Sequence, residues 1–109
     1  KRDWGYAKEY VTAMWLMLQQ KTPDDYVICT GKSFSIADLV REAFAAVGIK
    51  DWESYIEIDK ALVRRRDVKE MRGTSAKARK MLNWKPEINL NKLLKLMVDF
   101  ELSRFEEKP

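Results

Sequence analysis

Two arginines and one aspartate are the residues whose types and spacing best suit chemistry in this chain. Arg2 stands just before a predicted helix, and Arg64 is followed three residues later by Asp67. A guanidinium group presents a planar fork that matches phosphate oxygens, and charge-assisted hydrogen bonds are roughly twice as strong as neutral ones. A nearby carboxylate can accept hydrogen bonds from vicinal hydroxyls, such as those of a ribose. Together in one cleft, the three side chains would suit a nucleoside diphosphate.

The same residues also allow simpler interpretations. A cation at the start of a helix lies at the end of the macrodipole that favours anions, so Arg2 is either incidental or positioned for an anionic ligand. Arg64 and Asp67 can form a local ion pair, which at a protein surface contributes less than about 1 kcal/mol. Spacing alone favours this ion pair over a ligand site.

The chain offers no convincing set of catalytic side chains. It has no histidine and one cysteine, Cys29, which removes Ser-His-Asp and Cys-His sites, a zinc site and an internal disulfide. Its four glycines never form a Gly-x-Gly-x-x-Gly phosphate loop, and no tyrosine precedes a lysine by four residues. We therefore expect no catalytic residue, bound cofactor or metal in this chain, and we interpret Cys29 as a core residue.

Composition indicates one small globular domain, with 109 residues of which 46% are hydrophobic. No apolar run reaches the ~20 residues that a membrane span needs, so we expect no membrane association. The low cysteine content favours the cytoplasm. The net charge of +4 is mild, and the densest basic cluster, residues 64–66, has acids beside it and no aromatic residue after it before Trp84. Nucleic-acid binding is therefore disfavoured.

Apolar spacing and turn residues divide the chain into helices and short strands. The run "YVICT" predicts a buried strand, and "YIEID" alternates as a half-buried strand does. In chain order we predict a helix over 6–19, a strand over 26–30, a helix between Ser35 and Gly48, a strand over 55–59, a short helix from Thr74 or Ser75 to about Leu82, and a last helix after Asn89. The predicted fold class is α/β, small and helix-rich, with two or three short strands.

The sequence predicts several helices but only two or three short strands, which form very little sheet for those helices to cover. The composition alone is compatible with a small self-sufficient domain and equally with the tail half of a larger enzyme. The second possibility would leave apolar surface exposed where the rest of the enzyme packs.

Three stretches resemble, in order, the C-terminal part of the GDP-mannose 4,6-dehydratase family, within the extended short-chain dehydrogenase/reductase group. They are "KRDWGYAKEYVTAMWLMLQQ", "DDYVICTGKSFSIADLVREAF" and "SAKARKMLNWKPE". The resemblance extends from residue 1 to about residue 102. It implies that residues 1–109 are a single nucleotide-sugar binding subdomain, a fragment of a larger enzyme.

In that family an N-terminal Rossmann domain binds NADP and carries the Ser/Thr, Tyr and Lys catalytic groups, and the C-terminal part closes over the substrate. The reaction oxidises C4 of the mannose, eliminates water across C5 and C6, and returns the hydride to C6. The resemblance thus implies GDP-mannose and a Rossmann domain as partners, a homo-oligomeric parent enzyme, and NADP bound outside this chain. This chain alone would not run the reaction.

The resemblance also assigns roles to the three candidate site residues. Arg2 matches an arginine that contacts the diphosphate of the substrate, and Arg64 matches the arginine of the family's Arg-Pro-x-Glu unit, a second diphosphate contact. Asp67 takes the place of the acid of that unit, which holds the ribose hydroxyls. With these roles implied, the substrate site becomes the favoured interpretation over the local ion pair.

Four positions depart from the family pattern. The family usually has His at Tyr6, Arg at Ala61, Pro at Arg65 and Glu at Asp67, and an aspartate reaches one methylene less far than a glutamate. A stand-alone, non-catalytic module for nucleotide-sugars therefore remains the alternative function, with nucleic acid a weaker one.

Overall fold

The structure, a computed structural model, describes residues 1–106 as a helical protein. Its two short 3-10 helices are Trp52–Tyr55 and Lys60–Leu62. The four α-helices are α1 (Ala7–Leu18), α2 (Ile36–Ala45), α3 (Ala76–Leu82) and α4 (Leu90–Glu106). Helix α1 packs on α3, and α2 packs on α4 and on the first 3-10 helix. The four predicted helices are confirmed.

The predicted α/β fold class is wrong, because residues 1–106 contain no β-strand. The two paired extended residues in this range are Arg2 and Phe34, which form an isolated antiparallel bridge. A strand requires backbone hydrogen bonds to a neighbouring strand. A run of apolar residues provides side chains that can pack on the faces of a sheet, but it provides no partner for the backbone. Residues 26–29 make no backbone hydrogen bond to any described residue.

The second predicted strand, over residues 55–59, is also absent. Tyr55 ends the first 3-10 helix, and the carboxylate of Asp59 accepts a hydrogen bond from the Ala61 amide at the start of the second. Between them, Ile58 is 79% exposed, so the apolar side chain of this alternating pattern does not pack against a core. Short local turns therefore replace the strand.

Two helices begin at side-chain caps that the sequence indicates. Ser35 and Asp38 form a capping box, in which the Asp38 amide donates to the Ser35 hydroxyl and the Ser35 amide donates to the Asp38 carboxylate, both at 3.0 Å. At the start of α4, the Oδ1 atom of Asn89 accepts from the Lys92 amide at 2.9 Å. Both caps pair amides that a helix cannot satisfy itself.

The end of α2 follows the predicted glycine. Gly48 has φ of +77°, and its amide donates to the Ala45 carbonyl at 3.0 Å while the Ile49 amide donates to the Phe44 carbonyl at 3.0 Å. This pair of hydrogen bonds is the Schellman arrangement, which favours glycine at the left-handed position. The chain therefore leaves the helix within three residues of Ala45.

The core between α1 and α3 is small. Ala13 and Ala78 are completely buried, which lets the two helices approach closely, and Leu82 and Trp84 complete the buried cluster. The side chains packed around it are partly buried, namely Tyr10, Leu16, Met17, Tyr26 and Ile28. Cys29 is buried as predicted, although in an irregular segment rather than a strand.

Large apolar side chains remain uncovered on α1. Val11, Met14, Trp15 and Leu18 recur at helical spacing and are 59–82% exposed. The Cα radius of gyration is 17.4 Å, against about 13 Å for a compact domain of about this length. The accessible surface is 9311 Å², where a monomer of this size exposes about 6300 Å². The molecule is therefore more open than a self-contained domain.

No helix within residues 1–106 is long and apolar enough to cross a membrane.

Candidate functional site

Arg2 is fixed through its backbone to the entrance of α2. Its amide donates to the Phe34 carbonyl at 2.9 Å, and the Phe34 amide donates back to the Arg2 carbonyl at 2.8 Å. Phe34 directly precedes Ser35, the cap of α2. The first residues of the chain and the start of α2 therefore form one unit.

The guanidinium of Arg2 is held by three acceptors. Its Nη2 atom donates to Oδ1 of Asp67 at 2.8 Å, and its Nη1 atom donates to the carbonyls of Lys1 at 2.9 Å and Val68 at 2.8 Å. The side chain of Arg2 is 32% exposed and that of Asp67 is 53% exposed. This ion pair is accessible to ligands, and the backbone contacts restrict its geometry.

The loop that carries Asp67 is attached to the start of the chain. The Val68 amide donates to Oδ1 of Asp67 at 2.8 Å, and the Met71 amide donates to the Lys1 carbonyl at 2.9 Å. The Ser33 hydroxyl also donates to the Glu70 carboxylate, and this hydrogen bond lowers the pKa of Glu70. Three separate parts of the sequence thus converge beside Arg2.

Asp3, next to Arg2 in the sequence, makes a supporting contact that the sequence analysis did not predict. Its carboxylate accepts from the Thr30 amide at 3.1 Å, the Thr30 hydroxyl at 2.6 Å and the Gly31 amide at 2.7 Å. These bonds join the residue after Arg2 to the loop that leads into α2. Its place beside Arg2 in the Arg-Asp-Trp-Gly motif was the available signal, but spacing does not reveal a contact across 27 residues.

A cleft of about 370 Å³ lies beside the ion pair. Three cations and one carboxylate line it, so its charge favours an anion. Aromatic and aliphatic side chains form the rest of the wall. The lining includes Lys1, Arg2, Lys69, Asp67, Trp4 and Phe34.

Arg64 lies apart from this cleft. It is exposed, follows the second 3-10 helix, and makes no hydrogen bond or ion pair within residues 1–106. The ion-pair partner of Asp67 is Arg2, not Arg64. The structure thus brings two of the three candidate residues together, and the third, Arg64, does not line their cleft.

The described residues 1–106 contain neither a metal centre nor a second cluster of the candidate residues. Within residues 1–106, no group of three His, Cys, Asp or Glu side chains is arranged to hold a metal ion. A larger open cleft of about 720 Å³ near α1 and the end of α3 contains none of the three candidate residues. Its lining includes Glu9, Thr12, Arg79, Asn83 and Trp84.

Comparison with known protein families identifies the family to which the sequence belongs. A family model described as GDP-mannose 4,6 dehydratase matches residues 1–97. The chain belongs to the GDP-mannose 4,6-dehydratase family. The resemblance noted from the sequence motifs is thereby confirmed.

Alignments with individual relatives show which part of the family's full-length sequence this chain covers. GDP-mannose 4,6 dehydratase 1 of Arabidopsis thaliana is 46% identical over 93% of this chain and 28% of its own length. The human GDP-mannose 4,6 dehydratase is 38% identical over 95% of this chain and 33% of its own length. For the GDP-mannose 4,6-dehydratase of Yersinia enterocolitica, the identity is 30%, with 97% of this chain and 36% of the relative covered. The chain spans about a third of the length of these relatives and corresponds to a C-terminal part of them.

Proposed function

We propose that this chain is the substrate-binding portion of a GDP-mannose 4,6-dehydratase and holds the nucleotide diphosphate of GDP-mannose. The observation that carries the proposal is the fixed guanidinium of Arg2 in a cleft lined by three cations. Charge-assisted hydrogen bonds from such a group are strong and directional toward phosphate oxygens. GDP-mannose is the substrate proposed because the relatives are named GDP-mannose 4,6 dehydratases.

Arg64 is the second proposed diphosphate contact, and its surroundings allow this role. Because it makes no hydrogen bond or ion pair within residues 1–106, its donors are available to a ligand that extends beyond the cleft of Arg2. Asp67 completes the proposed site, and its Oδ2 atom makes no hydrogen bond to any described residue. That oxygen is the acceptor that a contact with ribose hydroxyls would use.

The dehydration itself would be performed outside this chain. In the proposed scheme a Rossmann domain of the whole enzyme would bind NADP, and hydride transfer is the chemistry that this cofactor would supply there. The described residues do not fit the cofactor, since their four glycines are far apart and none forms a phosphate-binding loop. The part of the reaction assigned to residues 1–106 is therefore substrate binding and orientation.

The Rossmann domain is also the proposed cover for the exposed side of α1. The uncovered stripe from Val11 to Leu18, the large accessible surface and the high radius of gyration all support a missing partner. We further propose that the whole enzyme is a cytoplasmic homo-oligomer, and the single buried thiol of Cys29 is compatible with a reducing compartment.

A binding titration tests the proposed function. We expect GDP to bind the 109-residue chain, and Arg64→Ala to weaken that binding by about 1.5–3 kcal/mol, the range for a hydrogen bond to a charged group. Isothermal calorimetry measures both values. Arg104→Ala is a matched control, because Arg104 is an exposed arginine on α4 that pairs with Glu101. Equal affinities of the unaltered chain and Arg64→Ala would remove Arg64 from the site.

A further inference from the structure

The hydrogen bonds of Asp67 point to a role that is exerted through Arg2. Its Oδ1 atom accepts from Nη2 of Arg2 at 2.8 Å and from the Val68 amide at 2.8 Å. We propose, on the basis of the proposed function above, that Asp67 is a positioning residue. Through its Oδ1 atom it holds the guanidinium of Arg2 in place for the diphosphate, in addition to the ribose contact proposed for its Oδ2 atom.

Within residues 1–106, some N–H groups of the Arg2 guanidinium are hydrogen-bonded, and the others are free to bind a ligand. A guanidinium has five N–H donors. The two on Nη1 donate to the carbonyls of Lys1 and Val68, and one on Nη2 donates to Asp67. The Nε–H and the second Nη2–H make no hydrogen bond within residues 1–106. Two free donors are what a bidentate contact with phosphate requires.

Holding the guanidinium before the ligand arrives favours binding. An unrestrained arginine loses side-chain freedom when it binds, whereas a preorganised one has already lost it. The backbone of Arg2 is fixed by Phe34, and two of the three acceptors of its side chain are carbonyls. Asp67 is the one side chain among those acceptors, so it is the part of this restraint that substitution can remove.

The negative charge of Asp67 opposes the binding of a phosphate ligand, whereas its hold on Arg2 favours binding. The direction in which the affinity changes when Asp67 is removed therefore tests the proposal. A carboxylate beside the cleft repels the phosphates of a ligand. The side chain of Asp67 is 53% exposed, so water and salt screen this repulsion. If positioning dominates, removal of Asp67 lowers the affinity for diphosphates, and if repulsion dominates, removal raises it.

The experiment compares GDP with inorganic pyrophosphate, which lacks the ribose, on the 109-residue chain. We expect Asp67→Ala to weaken the binding of pyrophosphate about three- to tenfold, and that of GDP by at least the same factor. Asp67→Asn keeps an acceptor oxygen and should lose less affinity. In an Arg2→Met background, Asp67→Ala should have no further effect on pyrophosphate binding. Asp51→Ala removes the same charge from another exposed position and controls for net charge.

Each other result overturns the inference in a recognisable way. A loss for GDP with unchanged pyrophosphate affinity would assign Asp67 to the ribose alone. A gain for both ligands would make it a competitor for Arg2, and a loss of pyrophosphate affinity that persists with Arg2→Met would make it independent of Arg2. All three leave the proposed function intact. If the unaltered chain does not bind GDP, the proposed function fails and this inference fails with it.

Discussion

Glu9 joins the segment after α3 to α1 through both its side chain and its backbone. Its carboxylate accepts from the Glu87 amide at 2.7 Å and the Ile88 amide at 3.0 Å, and its carbonyl accepts from the indole N–H of Trp84 at 2.9 Å. Trp84 also packs edge-on to Tyr10, and burial raises the pKa of that tyrosine. A single carboxylate thus secures the entry of the chain into α4.

Glu9→Ala should therefore reduce the free energy of unfolding by about 1–3 kcal/mol, because it leaves the exposed Glu87 amide and the partly buried Ile88 amide without their acceptor. Urea unfolding followed by circular dichroism measures the change. Glu57→Ala is the control, since Glu57 is exposed and its side chain makes no hydrogen bond within residues 1–106. Equal stability of Glu9→Ala and the control would show that water replaces these contacts.

At the scale of secondary-structure elements, the ends of the helices depend on short-range polar contacts. The capping box of α2 involves residues three apart, and the hydrogen bonds that the Ser35 amide and hydroxyl make to Asp38, together with Arg41, lower the pKa of the Asp38 carboxyl. A carboxyl whose pKa is lowered on folding stabilises the folded state above its ordinary pKa. That stabilisation is lost as the pH falls through the lowered value.

The capping box of α2 therefore predicts a pH-dependent stability. We expect the unaltered chain to lose more unfolding free energy between pH 7 and pH 3 than Asp38→Asn, because the variant has no proton to bind below about pH 4. Urea titrations at the two pH values give the comparison. Asp51→Asn, at an exposed carboxylate outside any capping box, is the control. Parallel pH profiles for Asp38→Asn and the unaltered chain would contradict the prediction.

The difference between short-range and long-range contacts explains how far the sequence alone could predict the structure. Ser35, Gly48 and Asn89 act on neighbours within five residues, so their positions in the sequence were sufficient to place helix ends. The segments 26–30 and 55–59 carry strand-like patterns, but a strand depends on a partner that no local pattern supplies. Arg2 and Asp67 are 65 residues apart, so their pairing required the fold.

At the scale of the whole molecule, the packing of α1 on α3 and of α2 on α4 leaves much apolar surface in water. Helix α1 buries Ala13 against α3, while the stripe containing Met14 and Trp15 faces outward with each side chain about 60% exposed. Burial of such side chains contributes roughly 25 cal/mol per Å². A partner that covers this side of α1 would therefore stabilise the chain considerably.

In the absence of that partner, the exposed stripe on α1 should promote self-association. We expect the 109-residue chain to form concentration-dependent oligomers, and Met14→Glu with Trp15→Glu to shift it toward the monomer, since charges on the stripe oppose its burial. Sedimentation velocity over a range of concentrations measures the shift. Leu62→Glu changes an apolar side chain outside α1 that is 78% exposed and is the control. A monomeric chain at all concentrations would rule out this role for the stripe.

The position of Trp4 has a spectroscopic consequence. Its side chain lines the cleft beside Arg2 and Asp67, whereas Trp84 is buried and hydrogen-bonded in the core and Trp15 lies on the open side of α1. Indole emission depends on what surrounds the ring, so a molecule that enters the cleft alters the light emitted by one of the four tryptophans. A variant that keeps Trp4 as its sole tryptophan would contain an intrinsic fluorophore for occupancy of the cleft.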